Sequence, residues 1–186
     1  MFAYQIDREI ALELLEPRHA GELYALTDAN RMHLRRWLPW LDRTQSVDET
    51  MSFIRISQQQ QAENNGFQTV IRYQGAAVGV IGHHRIDWSN RFASIGYWIA
   101  ESVQGQGIVT KACRAHVGHL IGELSLHRIE IRCAVGNIRS RAIPQRLGFR
   151  EEGVIRDAEW LYDHFVDHVV YGLLESEWDR DSAVPI

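Results

Sequence analysis

Gln104-Gly105-Gln106-Gly107-Ile108-Val109-Thr110 sets two glycines directly ahead of a run whose apolar residues recur at helical spacing. Upstream, Phe92 to Ala100 is rich in β-branched and aromatic residues and reads as a strand. Beyond Thr110, the residues Cys113, Val117, Leu120, Ile121 and Leu124 make one apolar helix stripe. The first N–H groups of a helix have no internal partner, and the helix dipole places about half a positive charge there. A turn of this kind binds a diphosphate without basic side chains, and Gly105 and Gly107 let the backbone approach it. On spacing alone, two glycines before a helix are more often just a tight turn. The dinucleotide fingerprint fails because Thr110 stands at its third glycine, and the P-loop fails because no glycine precedes Lys111.

Working outward from this turn gives alternating strand and helix patterns. Ile10 to Leu15 is a short apolar strand, and Pro17 opens a helix to about Asp28, a place where its missing N–H is not needed. Pro39 breaks any helix in the Arg31 to Leu41 segment, and Ser46 with Glu49 forms a capping box for a helix running to about Asn64. Phe67 to Tyr73 and Ala77 to Asp87, joined across Gln74-Gly75, read as a hairpin that continues into Phe92 to Ala100. After the central helix come a strand from His127 to Val135, a helix from Ile138 to Leu147 closed by Gly148, and a strand pair at about Phe149 to Glu159 and Val166 to Leu174. The order βααβββαβαββ describes one α/β (α+β) domain over residues 1–186, a mixed sheet of about seven strands flanked by about four helices.

Composition narrows the function. A formal net charge of -4 opposes general attraction to nucleic acid or to an anionic membrane. The two cysteines, Cys113 and Cys133, have no Cys-x-x-Cys spacing, so neither a disulfide framework nor a zinc knuckle is written here, and free thiols suit the cytoplasm. Asp7, Arg8 and Glu9 stand where a secretory signal needs an apolar run, and no stretch has the ~18 apolar residues of a membrane span.

The segment Gln104 to Thr110 resembles the Gln/Arg-x-x-Gly-x-Gly/Ala signature of the GNAT acyltransferase superfamily, with Val109 where Gly or Ala is usual. Asn137-Ile138-Arg139-Ser140 followed by Leu147-Gly148-Phe149-x-x-Glu152-Gly153 resembles the branch that acetylates the N-termini of ribosomal proteins, as do Trp37-Leu38-Pro39-Trp40 and Ile95-Gly96-Tyr97-Trp98-Ile99. Together these cover the chain from Ile10 to Leu174.

The resemblance implies the GNAT fold and acetyl-CoA as cosubstrate; the absence of a metal is expected from the histidine spacing instead. The resemblance also implies a splayed parallel pair, about Phe92 to Ala100 and His127 to Val135, with pantetheine in the gap. The implied reaction is acetyl transfer to an amine, foremost the N-terminal α-amino group of a ribosomal protein, with a small amine or antibiotic, or a non-catalytic acetyl-CoA module, as alternatives. Ser140 becomes the general acid beside the coenzyme sulfur, and Glu159 draws a proton from the amine through water. Gln104, Gly105, Gln106, Gly107, Ile108, Val109 and Thr110 hold the pyrophosphate. Asn137 caps its helix and reaches the pantetheine, and a backbone amide at Trp98 or Ile99 meets the oxyanion. Arg35, Trp37 and Trp40 belong to a wall of the acceptor pocket, with Arg35 and Arg36 meeting an acidic peptide, and the family allows a homodimer or larger homo-oligomer. The His83-His84 pair reads, from its place in the sequence, as ending a strand near the substrate cleft, which makes His83 a substrate-binding candidate.

Other features read as ordinary. His164 and His168, four apart in a strand, sit about 13 Å from one another, too far to share an ion. His116 and His119 fall on a helix flank and are expected to be solvated, and both cysteines read as small buried hydrophobes. Pro144 cannot donate to the carbonyl of Ser140 and is expected to kink its helix.

Overall fold

In a computed structural model, which describes residues 3–179, the apolar alternation of the strands is divided between two cores on opposite faces of one sheet. Among these residues the strands are β1 (Ala3–Gln5), β2 (Ile10–Leu14), β3 (Phe67–Tyr73), β4 (Ala76–His83), β5 (Phe92–Ile99), β6 (Arg128–Ala134), β7 (Arg150–Leu161) and β8 (His164–Leu174). The helices are α1 (Ala20–Ala29), α2 (Arg31–Leu34), α3 (Val47–Ala62), α4 (Ile108–Gly122) and α5 (Ile138–Arg146). Both ends of the 1–186 domain assignment lie outside the described residues.

The mixed α/β sheet has the order β1-β2-β3-β4-β5-β6-β8-β7. Every neighbouring pair is antiparallel except β5 and β6, which need a crossover and receive it from α4. Helix α4 turns Cys113, Val117, Leu120 and Ile121 onto the larger core, each at most 2% exposed. On the other face, α1 and α3 cover Val70 and Val80 with Leu23 and Ile54. Ser46 starts α3 as expected, its hydroxyl oxygen accepting from the Asp48 amide at 3.2 Å.

Several details depart from the sequence reading, among them β4 ending at His83 rather than Asp87 and β8 starting at His164 rather than Val166. The sheet gains β1, which pairs with β2, and Arg31–Leu34 closes a single helical turn before Pro39 intervenes. The central helix begins at Ile108, two residues earlier than expected, because Gly107 adopts a left-handed conformation at φ 73 and serves as its N-cap. His116 is not solvated: it is 2% exposed, and its Nε2 lies 3.1 Å from His83 Nδ1 beneath the sheet.

The parallel pairing of β5 with β6 runs from Phe92↔Arg128 to Ile95↔Ile131 and then stops. Beyond that rung β5 stays with β4 and β6 stays with β8, so the two strands part.

Candidate active site

The opening between β5 and β6 continues into a cleft of about 1610 Å³, lined by the turn from Gln104 to Thr110, the start of α5 and the Trp37-Leu38-Pro39 segment. None of the amides from Gly105 to Thr110 donates to another described group, whereas the Lys111 amide returns to the Gly107 carbonyl at 3.0 Å as the helix closes. The turn therefore presents unpaired N–H groups and the positive end of α4 to the cleft. No side chain caps α4. Gln104 reaches sideways instead: its amide nitrogen is 2.8 Å from His33 Nε2, and its oxygen accepts from Arg139. Lys111 points away and pairs with Asp7 at 2.8 Å. Val109, at the unusual signature position, is 7% exposed, so its bulk is taken up by the core.

Amides alternate along an antiparallel strand, which decides whether Trp98 or Ile99 turns its N–H to the gap. The Ala100 amide donates to the Val78 carbonyl at 2.8 Å, and the Ser94 carbonyl accepts from His84 at 2.9 Å. Even-numbered residues of β5 are thus turned to β4, including Trp98. Of the two expected donors, Ile99 keeps its amide toward the gap and Trp98 does not.

Ser140 stands in the first turn of α5, where its amide donates to the Asn137 side chain at 3.2 Å. Asn137 lines the cleft as well as capping the helix. Around the Ser140 hydroxyl lie Cys133 Sγ at 3.2 Å and Tyr97 Oη at 3.4 Å. Burial raises the Tyr97 phenol well above its ordinary value and raises the Cys133 thiol too, so both keep their protons.

Glu159 on β7 also lines the cleft, 3.6 Å from His168 Nε2. His168 pairs with Ala134 on β6, the residue after Cys133, and successive residues of a strand face opposite ways. Ser140 and Glu159 therefore meet the cleft from opposite faces of β6.

Of the residues expected at the acceptor pocket, only part lines the cleft. Trp37 lines the cleft, together with Arg36, Leu38 and Pro39. Arg35 and Trp40 stand behind that wall: Arg35 pairs with Asp42 at 2.8 Å and covers the Tyr162 ring, while Trp40 packs at 6.2 Å on Trp98. His83 is 0% exposed and faces His116 under β4, so the cleft receives His84 instead. In a strand, neighbouring residues cannot share a face, and the core claimed the first of the two.

Sequence reasoning gave no role to Tyr97, His168 or Tyr162. The Tyr162 hydroxyl donates to the Leu38 carbonyl at 2.5 Å and accepts from the Leu41 amide at 3.2 Å, fastening the Trp37-Leu38-Pro39 wall of the cleft to the β7–β8 turn. No sequence signal joins residues so far apart; Arg139 and His33 could have been suspected from their basic character beside an anion site.

No helix among the described residues is long and apolar enough to cross a membrane, and these residues hold no group of three or more His, Cys, Asp or Glu suited to a metal. The family model "Acetyltransferase (GNAT) domain" matches residues 9–150. The chain is 39% identical over 182 residues to "Putative ribosomal N-acetyltransferase YdaF" of Bacillus subtilis (strain 168), covering 97% of this chain and 100% of that protein. It is 31% identical over 167 residues to the ribosomal-protein-serine acetyltransferase of Escherichia coli (strain K12), covering 90% and 93% respectively. A solved structure of RimL, the ribosomal L7/L12 alpha-N-protein acetyltransferase in complex with coenzyme A, superposes with a TM-score of 0.90 at 27% identity, covering 93% of this chain and 98% of that one. With a free-amide turn beside parted strands and a family match over most of its length, the chain belongs to the GNAT acetyltransferases and is an acetyl-CoA-dependent N-acetyltransferase.

Proposed function

We propose that the chain acetylates the α-amino group of a protein N-terminus, as the names of its ribosomal-protein-acetylating relatives suggest. The observation that carries this reading is the cleft passing through the sheet, with Ser140 and Glu159 facing it from opposite sides of β6. An amine entering past Trp37 comes from the Glu159 side, while the thioester comes along the β5–β6 gap from the α4 side.

The reaction is direct attack. The neutral amine forms a C–N bond to the thioester carbonyl, the oxyanion forms beside the Ile99 amide, and the C–S bond then breaks. Glu159 receives the amine proton through water, and Ser140 gives its proton to the departing thiolate and recovers one from solvent. A protein N-terminus suits a modest base. Its pKa is about 7.7–8.0 against about 10.4 for lysine, so freeing its lone pair at neutral pH costs roughly 3.5 kcal/mol less.

The test is to incubate the protein with acetyl-CoA and a Ser-initiated peptide, follow free thiol and locate the acetyl group by mass spectrometry. Acetylation at the peptide α-amine, slowed in Ser140→Ala without loss of acetyl-CoA binding, is the expected result. Turnover with free amino acids or small amines but no peptide would reject the N-terminal acceptor. Thermal protection by acetyl-CoA with no thiol release from any amine would reject catalysis.

A further inference from the structure

A helical carbonyl ordinarily takes the amide four residues on, but four residues after Ser140 comes Pro144, which has no N–H to give. The Tyr97 hydroxyl occupies the vacant place, donating to the Ser140 carbonyl at 3.0 Å. Tyr97 is on β5, two residues beyond the last rung at Ile95, and Cys133 is on β6, two residues beyond Ile131. Continued in register, Tyr97 and Cys133 would stand side by side, one pair beyond Gly96 and Arg132. With the strands parted three side chains meet there, with the Ser140 hydroxyl between Cys133 Sγ and Tyr97 Oη.

We propose that Pro144 and Tyr97 together form a positioning device for Ser140: the proline releases the serine carbonyl, and the tyrosine hydroxyl takes it and fixes the first turn of α5 against the floor of the gap. The inference rests on the reading of Ser140 as general acid. Because the Tyr97 proton is committed to the carbonyl, the phenolic oxygen can only accept from the Ser140 hydroxyl. At 3.4 Å that contact is long and therefore weak. The Cys133 thiol, kept protonated by burial, can donate to the serine oxygen at 3.2 Å. Cys133 thus orients the serine oxygen, while the long contact to Tyr97 holds the hydroxyl hydrogen so weakly that it is free to turn to the coenzyme sulfur. Tyr97 touches no reacting atom in this scheme; it acts through Ser140.

The experiment compares kcat and the acetyl-CoA dissociation constant for wild type, Tyr97→Phe, Ser140→Ala, the Tyr97→Phe/Ser140→Ala double variant and Tyr97→Phe/Pro144→Ala. One neutral hydrogen bond lost from the positioning of an acid corresponds to about a fivefold to tenfold fall in kcat. Tyr97→Phe should show that fall with acetyl-CoA affinity held within about twofold. In the Ser140→Ala background the same change should do nothing further, because its route is gone. Replacing the proline by alanine restores an N–H for the serine carbonyl, so Tyr97→Phe/Pro144→Ala should regain most of the lost rate. Normal kcat in Tyr97→Phe alongside a slow Ser140→Ala overturns this inference and leaves the general acid standing. Equal losses in both backgrounds, or a dissociation constant rising in step with the fall in kcat, would make Tyr97 a pillar of the gap instead. If Tyr97→Phe/Pro144→Ala stays as slow as Tyr97→Phe, Pro144 is removed from the device. Unchanged turnover in Ser140→Ala would refute the general acid, and this inference with it.

Discussion

Ile95 and Ile131 form the last rung between the two parallel strands, and the cleft opens where their pairing ends. Up to that rung the strands satisfy one another; past it, the Tyr97 and Ile99 amides of β5 face open space. Pantetheine carries two amides, and a strand edge is the one surface that can pair with them along its length. On the proposed reading the cosubstrate is held by main chain, so side-chain changes at the cleft should separate binding from catalysis.

The turn offers the first check. Gly107 sits at φ 73, and an added Cβ would meet nothing within 4 Å, so an alanine there is opposed by conformation rather than by collision. Forcing a non-glycine residue into that region costs about 1–2 kcal/mol. Gly107→Ala should therefore weaken acetyl-CoA binding about tenfold, measured by isothermal titration calorimetry, with the fold retained.

Glu159 offers the second. Glu159→Gln keeps the size and removes the proton acceptor, so kcat should fall on the order of a hundredfold while acetyl-CoA affinity is unchanged. Turnover at the wild-type rate across neutral pH would place the base elsewhere, with His168 the neighbour to examine.

The histidines under β4 give a pH dependence of stability. Burial, aided by neighbouring imidazoles, holds His83 down to about 4 and His116 well below its ordinary value. Above pH 6.5 these groups are neutral whether folded or unfolded and contribute no slope. As pH falls below 6.5, the unfolded chain takes up protons that the folded one refuses, so stability declines until about pH 4. The urea midpoint should drop between pH 7 and pH 4.5, and His83→Gln should drop less over the same interval.

Core packing gives a fourth test. Leu120 is 0% exposed on the buried side of α4. Leu120→Ala should lower the unfolding free energy by about 2–5 kcal/mol in denaturant titration, and its acetyl-CoA affinity at low temperature should change little.

Local signals in the sequence reached far into this molecule. The Gln104–Thr110 turn and the α4 stripe are written in local spacing, which states what the backbone must do, and both stand in the structure with the helix start moved to Ile108; the Asn137 cap, which the resemblance implied, is there too. The limit lay in orientation. His83 and His84 are interchangeable as letters, yet only the strand's register decides which one the core takes. Arg35 and Trp40 resemble pocket residues by chemistry, but Asp42, Tyr162 and Trp98 engage them from behind. Tyr97 was visible as a strand aromatic. Its bond to the Ser140 carbonyl needs the chain to bring residues 97 and 140 together, which no periodicity announces. Pro144 was the legible half of that pair, since a missing N–H is a property of the residue itself.

Tyr162 fastens the Leu38 and Leu41 backbone to the tip of the last hairpin. On the proposed reading the doorway for the acceptor is thus hung from the C-terminal strands, while the donor's cradle belongs to the middle of the chain. Substitutions at the hairpin tip should retune which amines are admitted and leave the coenzyme's grip alone, so the two halves of the reaction can diverge separately on one scaffold.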